Sequence, residues 1–348
     1  MTVGLMPDSL FEMTWATAAI AVSTTSGSVF AAALLMALLV DHCLGEPPTW
    51  GHPVVWMGHY LNAVALRVLP ASPLPLVARD LKTFSLGAFY WSVGAAITLI
   101  VSSVLQWALL QLPWALAALL VGLALKPLLA WAMLRREVQA VEKALAESLE
   151  AGRERLSRLV SRDTSALSES EVRESAIESL AENLNDSVVA PIFWFVLLGL
   201  PGAAIYRFAN TADAMWGYRG LRAGVNWEWA GKWAAGVDDV LSWMPARITA
   251  LLLLLVAGGL NVKVLMLEAR KTPSPNSGWP MAAMALALKV SLRKPGVYVL
   301  NPDGHQPTAA DTLLAQKYAL KVVVSACLCA QAAIILIALT VMKVAVSA

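Results

Sequence analysis

The chain has 348 residues, of which 58% are hydrophobic and only 14% charged. Soluble domains carry about 25% charged residues, so this composition excludes an ordinary soluble globule and indicates a membrane-embedded protein. A formal net charge of +2 is too small for a nucleic-acid partner held by charge.

A membrane-crossing helix needs about 20 apolar residues. The run from Trp15 to Val40 meets that length and ends at Asp41. No Lys or Arg precedes it, so it does not read as a cleavable signal peptide. Phe84 to Leu112 and Trp114 to Leu134 also qualify. Pro113 between them predicts a tight turn, making a helical hairpin. Val323 to Val346 is a final span. Two runs are ambiguous. Val188 to Ala209 is interrupted by Gly199, Pro201 and Gly202, and Ile248 to Leu260 is short. Each could cross or dip in and return, the latter only where protein covers the irregular backbone. The predicted fold class is all-α: a polytopic helical membrane protein with about four to six membrane segments, re-entrant hairpins at the ambiguous runs, and cytoplasmic amphipathic helices. It reads as one membrane-embedded domain over 1–348, without internal repeats, with cytoplasmic segments at 135–187 and 263–321.

Orientation follows from basic residues. The 135–187 segment carries Arg135, Arg136, Lys143, Arg153, Arg155, Arg158, Arg162 and Arg173, which marks it as cytoplasmic. The loop from Asp41 to Thr83, with Arg67, Arg79 and Lys82, then shares that side, and the N-terminus lies outside. Leu134, Val138, Val141, Leu145 and Leu149 recur at helical spacing. A second helix is expected after Ser168 or Ser170. Cys327 and Cys329 point to nearly opposite sides of a helix, which suits packing better than a shared metal or disulfide.

Polar clusters interrupt this apolar chain, and buried polar groups are costly without partners or work to do. Glu174, Glu178, Glu182 and Asp186 fall at i, i+4, i+8 and i+12, with Asn183 and Asn185 alongside. Stacked carboxylates repel unless a cation such as Mg²⁺ lies between them. Glu174 and Glu178 are expected on a solvated face, and Glu182 and Asp186 in a site. Asn210, Asp213 and Gly217 share a second helix face, where glycine would let a ligand approach the backbone; capping of a helix end by Asn210 or Thr211 is the plain alternative. Asp238 and Asp239 point apart, so one suits metal and the other an Arg. Arg247 suits either a phosphate or lipid headgroups. Asp41 and His52 flank a Gly-Pro-Pro turn that also holds His42 and His59. Ser274 to Met281 opens a helix whose N-terminus could receive an anion, or is an ordinary turn. Lys126, inside the third run, is a functional candidate because an intramembrane Lys is costly.

Together these motifs resemble the CobD/CbiB proteins of cobalamin biosynthesis, the adenosylcobinamide-phosphate synthases. The resembling elements are DHCLGEPP with HPV (Asp41 to Val54), Lys126, RDT (Arg162 to Thr164), ESLAENLNDSVVAP (Glu178 to Pro191), NTADAMWGYR (Asn210 to Arg219), DD with PAR (Asp238 to Arg247) and SPNSGWPMAAMA (Ser274 to Ala285). Gly236, Ser242 and Ser277 stand where the family usually has Arg, Asn and Ala.

The resemblance implies an amide synthase. It would join (R)-1-amino-2-propanol or its O-phosphate to a propionate of adenosylcobyric acid, giving adenosylcobinamide or its phosphate. ATP would activate the propionate and Mg²⁺ would mask phosphate charge. No G-x-x-x-x-G-K-[ST] loop is present, so ATP rests on the resemblance alone. In this reading Glu182, Asp186 and Asp213 bind Mg²⁺ or orient the amine. Arg162, Arg219 and Arg247 hold phosphates. Asp41, His52, Asn183, Asn210 and Asn276 line the corrinoid or aminopropanol pocket. The expected setting is the bacterial inner membrane, with the site facing the cytoplasm. Other corrinoid-pathway enzymes or a second copy of the chain are conceivable partners. The rival function is a non-enzymatic corrinoid carrier, or a sensory membrane protein like the related AmpE group.

Overall fold

The computed structural model describes residues 8–69, 80–222, 225–259 and 261–347. Arg79 of the 41–83 loop and the first seven residues lie outside them. The described residues are mostly helical: α1 Asp8–Leu44, α2 Pro53–Val68, α3 Leu81–Leu110, α4 Trp114–Leu125, α5 Trp131–Glu147, α6 Leu149–Ser157, α7 Glu169–Leu184, α8 Ala190–Trp216, α9 Lys232–Val256, α10 Val262–Ala269, α11 Gly278–Leu288 and α12 Ala309–Ser347. Two small antiparallel pairs interrupt it. β1 (Leu221–Arg222) pairs with β2 (Val225–Asn226), and β3 (Leu292–Lys294) with β4 (Tyr298–Leu300).

Six helical segments are long and apolar enough to cross a membrane, which makes the chain a multi-pass membrane protein. α3 and α4 form the predicted hairpin around Pro113. The third predicted run is not one helix. Pro127 has no N–H to continue the ladder, so α4 ends at Leu125 and a single 3₁₀ turn, Lys126–Leu128, leads to α5. α1 and α12 run antiparallel, with Gln331 Nε2 donating to Ala31 O at 2.9 Å. α12 starts well before the predicted Val323.

Both ambiguous runs turn back. α7 continues through a π-helical turn, Asn185–Val189, into α8. At Gly199 (φ 67°, ψ −150°) the chain reverses, in a backbone region open essentially to glycine. Gly202 then packs against the Trp194 carbonyl, and Arg207 Nη1 donates to Asp186 O at 3.1 Å and Ser187 Oγ at 3.3 Å. Such pairs are met only across an antiparallel hairpin. The break lies at Gly199 rather than at Pro201-Gly202, and Pro201 occupies the first turn of the returning arm, where its missing N–H costs nothing. The freed Leu200 N–H at the tip is satisfied by Gln106 Oε1 of α3 at 2.7 Å. A buried amide at membrane depth needs such a partner.

The second run belongs to a longer helix than predicted: α9 begins at Lys232, not near Ile248. It ends in a turn at Gly258 and Gly259, both at positive φ. α10 leads back, so that Asn276 Nδ2 reaches Asp239 O at 2.7 Å. Asn276 thus returns to the level at which α9 began.

The main core joins α1, α4, α7, α8, α9, α11 and α12 through Leu34, Leu125, Leu180, Phe195, Leu253, Met284 and Val322. Ile100, Leu255, Leu328 and Leu336 face outward, as a lipid-facing surface requires. Under α5 to α7 lies a smaller core of Val141, Leu145, Leu156, Val172 and Ala176. It is built on the predicted amphipathic stripe. Ser168 caps α7, accepting from Glu171 N while Glu171 accepts from Ser168 N at 2.7 Å. This capping box resolves the start between the two predicted serines.

Candidate active site: an acidic cavity between two hairpins

The two returning hairpins close on a polar cavity of about 330 Å³. Glu182 and Asp186 enter it from the descending arm, and Asp213 and Gly217 from the returning one. Asp238, Asp239 and Ser242 come from α9, and Ser274, Asn276 and Ser277 from the turn before α11. Tyr218 and Arg219 complete the lining. Four of the sequence-predicted clusters thus meet at one place. The hairpin accounts for this, since reversal at Gly199 brings Asp213 back alongside the Glu182–Asp186 turn.

The α7 carboxylates form a ladder whose rungs differ in partner. Glu174 and Glu178 are not on a solvated face. They are 0% and 2% exposed, because α11, α12 and β3 pack against α7. Glu174 accepts from Arg293 N at 2.9 Å, Nη2 at 2.7 Å and Nε at 3.2 Å. Glu178 accepts from Arg162 Nη2 at 2.6 Å. Burial, and then the charge of Glu178, push the Tyr298 phenol above its ordinary range. The next two rungs have no such match. Among the described residues none of Glu182, Asp186, Asp213, Asp238 and Asp239 forms a salt bridge. Asp186 Oδ1 accepts from Asn185 Nδ2 at 2.8 Å and faces Tyr206 Oη at 3.5 Å. Asp238 Oδ1 is buried without a hydrogen-bond partner.

Several predicted site residues lie elsewhere. Arg162 is committed to Glu178 and does not reach the cavity. Asn183 turns back to Ser179 O and Oγ at 3.0 and 3.2 Å. Arg247 stacks on Trp243 and Trp279 and donates to Asn276 Oδ1 at 3.0 Å, so it braces the cavity wall from behind. Asn210 does not cap a helix end; it sits inside α8 just behind the cavity lining, accepts from Arg207 Nη1 at 3.3 Å and hydrogen-bonds the Asp186 and Asp238 carboxylates. Gly217 does not open space for a ligand, since the room beside its Cα is filled by the Asp213 carboxylate.

Asp41, His52 and Lys126 form a second cluster rather than lining the cavity. Buried Lys126 Nζ lies 2.9 Å from Glu46 Oε2 and 3.4 Å from Asp41 Oδ1. Asp41 Oδ2 also accepts from Ala132 N at 2.8 Å and so caps α5. His52 Nδ1 accepts from Val54 N, which leaves Nε2 to donate to Glu46 at 3.1 Å. Burial would raise the Glu46 carboxyl, but hydrogen bonds from His52 and Lys126 outweigh it and hold it below its ordinary value. A charge enclosed so completely by opposite charges reads as a clamp between α1, the α4–α5 junction and α2. Among the described residues, His42, His52 and His59 do not come together as a metal-ligating group.

The motifs that carry these residues fall inside one family. A family model described as CobD/Cbib protein matches residues 34–342. The chain belongs to the CobD/CbiB family. A probable cobalamin biosynthesis protein CobD from Methanothermobacter thermautotrophicus is 41% identical over 277 residues, covering 77% of this chain and 85% of that protein. The cobalamin biosynthesis protein CobD of Chromobacterium violaceum is 43% identical over 266 residues, covering 74% and 80%. One from Thermococcus kodakarensis is 42% identical over 266 residues, covering 76% and 83%. No solved structure matches the chain.

In this CobD/CbiB member, residues outside the predicted set complete the site. Tyr206 Oη lies 3.1 Å from Ser242 Oγ and next to Asp186. Ser242 is one of the three departures from the family pattern, and its hydroxyl still supplies a polar contact. Arg207 bridges the arms. Tyr206 sits in an otherwise apolar helix, which was the signal that could have found it, whereas Arg207 already stands out in the sequence as an ionisable residue within that run. Glu46 was inside a quoted motif and became visible as a partner only when Lys126 folded over it.

Proposed function

We propose that this chain is a cobalamin-biosynthesis amide synthase of the membrane. It would join (R)-1-amino-2-propanol, or its O-phosphate, to a propionate of adenosylcobyric acid. Family membership and the names of the relatives support the cobalamin role. The reaction itself rests on one observation, an acidic cavity whose carboxylates form no salt bridge among the described residues while the two rungs below them are matched by arginines.

Five carboxylates with Arg219 as the single lining guanidinium make a site that attracts positive charge. An ammonium substrate fits it, and so does Mg²⁺. The donors are all hard oxygens, and Asp238 Oδ1 is buried and unpartnered, so the residues suit that ion. Among the described residues no three acidic, His or Cys groups stand close enough to hold an ion alone. Mg²⁺ ordinarily needs only one or two carboxylates, with water and substrate phosphate completing its shell. One or two of Glu182, Asp186, Asp213, Asp238 and Asp239 would hold it, and it would offset phosphate charge if ATP activates the propionate. Glu182 and Asp213, facing each other across the hairpin, would orient the amine and take the proton it must lose before nitrogen can attack. Arg219, at the rim, would meet the anionic part of a substrate. The hairpin keeps these groups at one level. That fits a cavity reached from the cytoplasm in the bacterial inner membrane, the side on which the basic loops of α5 and α6 are expected.

The test is to incubate purified protein with adenosylcobyric acid, ATP, Mg²⁺ and each amine and to follow product mass. Formation of an amide with either amine supports the reading. A protein that binds corrinoid but forms no amide under any of these conditions would favour the carrier.

A further inference from the structure

A second cavity, of about 450 Å³, lies on the far side of the returning arm from the acidic site. One wall is α3, whose Gly94, Ile97, Thr98, Val101, Ser102 and Leu105 recur at helical spacing. α2 and α4 supply the flanks, and Leu200, Ala204 and Phe208 of the hairpin form the back. The α3 stripe alone extends over about 16 Å at 1.5 Å per residue. It lies wholly within an apolar span.

We propose that this crevice is a binding site for one acyl chain of a bilayer phospholipid. Three observations point there. First, the wall is almost free of hydrogen-bonding groups. The Ser102 hydroxyl is already used by the carbonyls of Thr98 and Leu99, at 2.6 and 3.2 Å. Water needs two to four polar partners to occupy a cavity, so this one stays dry. Second, the crevice opens outward. Ile97, Val101, Leu105 and Leu123 are 50%, 61%, 42% and 42% exposed, on the surface that lipid covers. Third, exposed Trp56 also lines it, and its indole donates to Trp50 O at 2.9 Å. Paired exposed tryptophans sit at headgroup level in membrane proteins. A chain entering beside Trp56 would therefore run along α3 towards the hairpin tip at Leu200.

The occupant would contact the arm that carries Asp213. Ala204 and Phe208 present one face of α8 to the crevice, while Asp213 and Gly217 present another to the acidic cavity. The lipid would thus fill the space behind the catalytic arm, where an empty cavity forfeits dispersion contacts.

The experiment uses the full chain in liposomes doped with a phospholipid bearing a diazirine at one acyl terminus. After photolysis, adducts are mapped by mass spectrometry. Val101 and Leu105 face the crevice, whereas Leu99 and Ser103 lie at comparable depth on the opposite side of α3. The expected yield on the first pair is at least fivefold that on the second. The substitution Ala124→Trp, which fills the crevice, should bring the ratio to about one, while Ala115→Trp on the opposite, exposed face of the same helix should leave it high. The wild-type ratio stands even if Ala124→Trp fails to fold. Equal yields on the two pairs in wild type would show a merely lipid-washed surface and overturn the proposal. So would a folded Ala124→Trp protein with an unchanged ratio.

Discussion

The Glu174–Arg293 pair gives a sharp test of the ladder. Glu174 is fully buried and Arg293 supplies it with one backbone and two side-chain donors. Arg293→Ala removes the side-chain donors and leaves a buried carboxylate with a single N–H. Stranding one member of a buried pair costs about 3–5 kcal/mol. Arg293 is itself 37% exposed, so water can partly replace it, and the lower end, about 3 kcal/mol, applies. At about 2 °C per kcal/mol for a chain of this size or somewhat smaller, the apparent Tm should fall by about 6 °C. The assay is a thermal scan at fixed rate in one detergent, because membrane proteins often unfold irreversibly. The double substitution Glu174→Met, Arg293→Met should recover most of the loss, since apolar replacement of both partners is often neutral or better. An Arg293→Ala protein within 2 °C of wild type would refute the claim that the lower rungs are structural ion pairs.

Three further outcomes are expected. With native cysteines replaced, single cysteines at Ser165 and Lys232 should label from the same face of the membrane and Gln111→Cys from the other; opposite faces for the first two would reject the hairpin at Gly199. Gly199→Ala should lower the apparent Tm, because its backbone conformation costs a non-glycine residue about 1–3 kcal/mol and the new methyl would press on Gln106; a Tm equal to wild type would contradict the reversal. Gly217→Ala should cut turnover at least tenfold and lower the Tm slightly, since its methyl would displace the Asp213 carboxylate and press on the Asp213 carbonyl; full turnover would show that the position of that carboxylate does not matter.

The helical membrane class was legible because hydropathy and span length act locally. The α3–α4 turn, the amphipathic face of α5 and the Ser168 cap were legible for the same reason. Reversal in the 188–209 run could be suspected from Gly199, Pro201 and Gly202. Its exact place depended on Gln106, about 94 positions earlier in the chain, and no local pattern links the two. The acidic cavity was half legible. Polar residues in apolar helices flagged Glu182, Asp186, Asp213, Asp238 and Asp239, and the fold brought them together. Spacing could not tell which carboxylates already had cations. Glu174 and Glu182 look alike on a helical wheel, yet Arg293 from a distant β-pair neutralises only the first. Likewise Arg162 and Lys126 looked available for a ligand, but each folds onto a carboxylate of its own.

The central claim is that the unmatched carboxylates of the cavity carry out the chemistry. The most direct measurement is amide formation from adenosylcobyric acid, ATP, Mg²⁺ and the better amine by the Asp213→Asn and Glu182→Gln proteins, with thermal scans alongside. Loss of one such electrostatic group typically costs about 10²–10³ in rate. Both proteins are expected to insert normally, keep a Tm at or above wild type because a repulsive charge is gone, and lose turnover by that factor. Full turnover of Asp213→Asn at limiting Mg²⁺ would contradict the account.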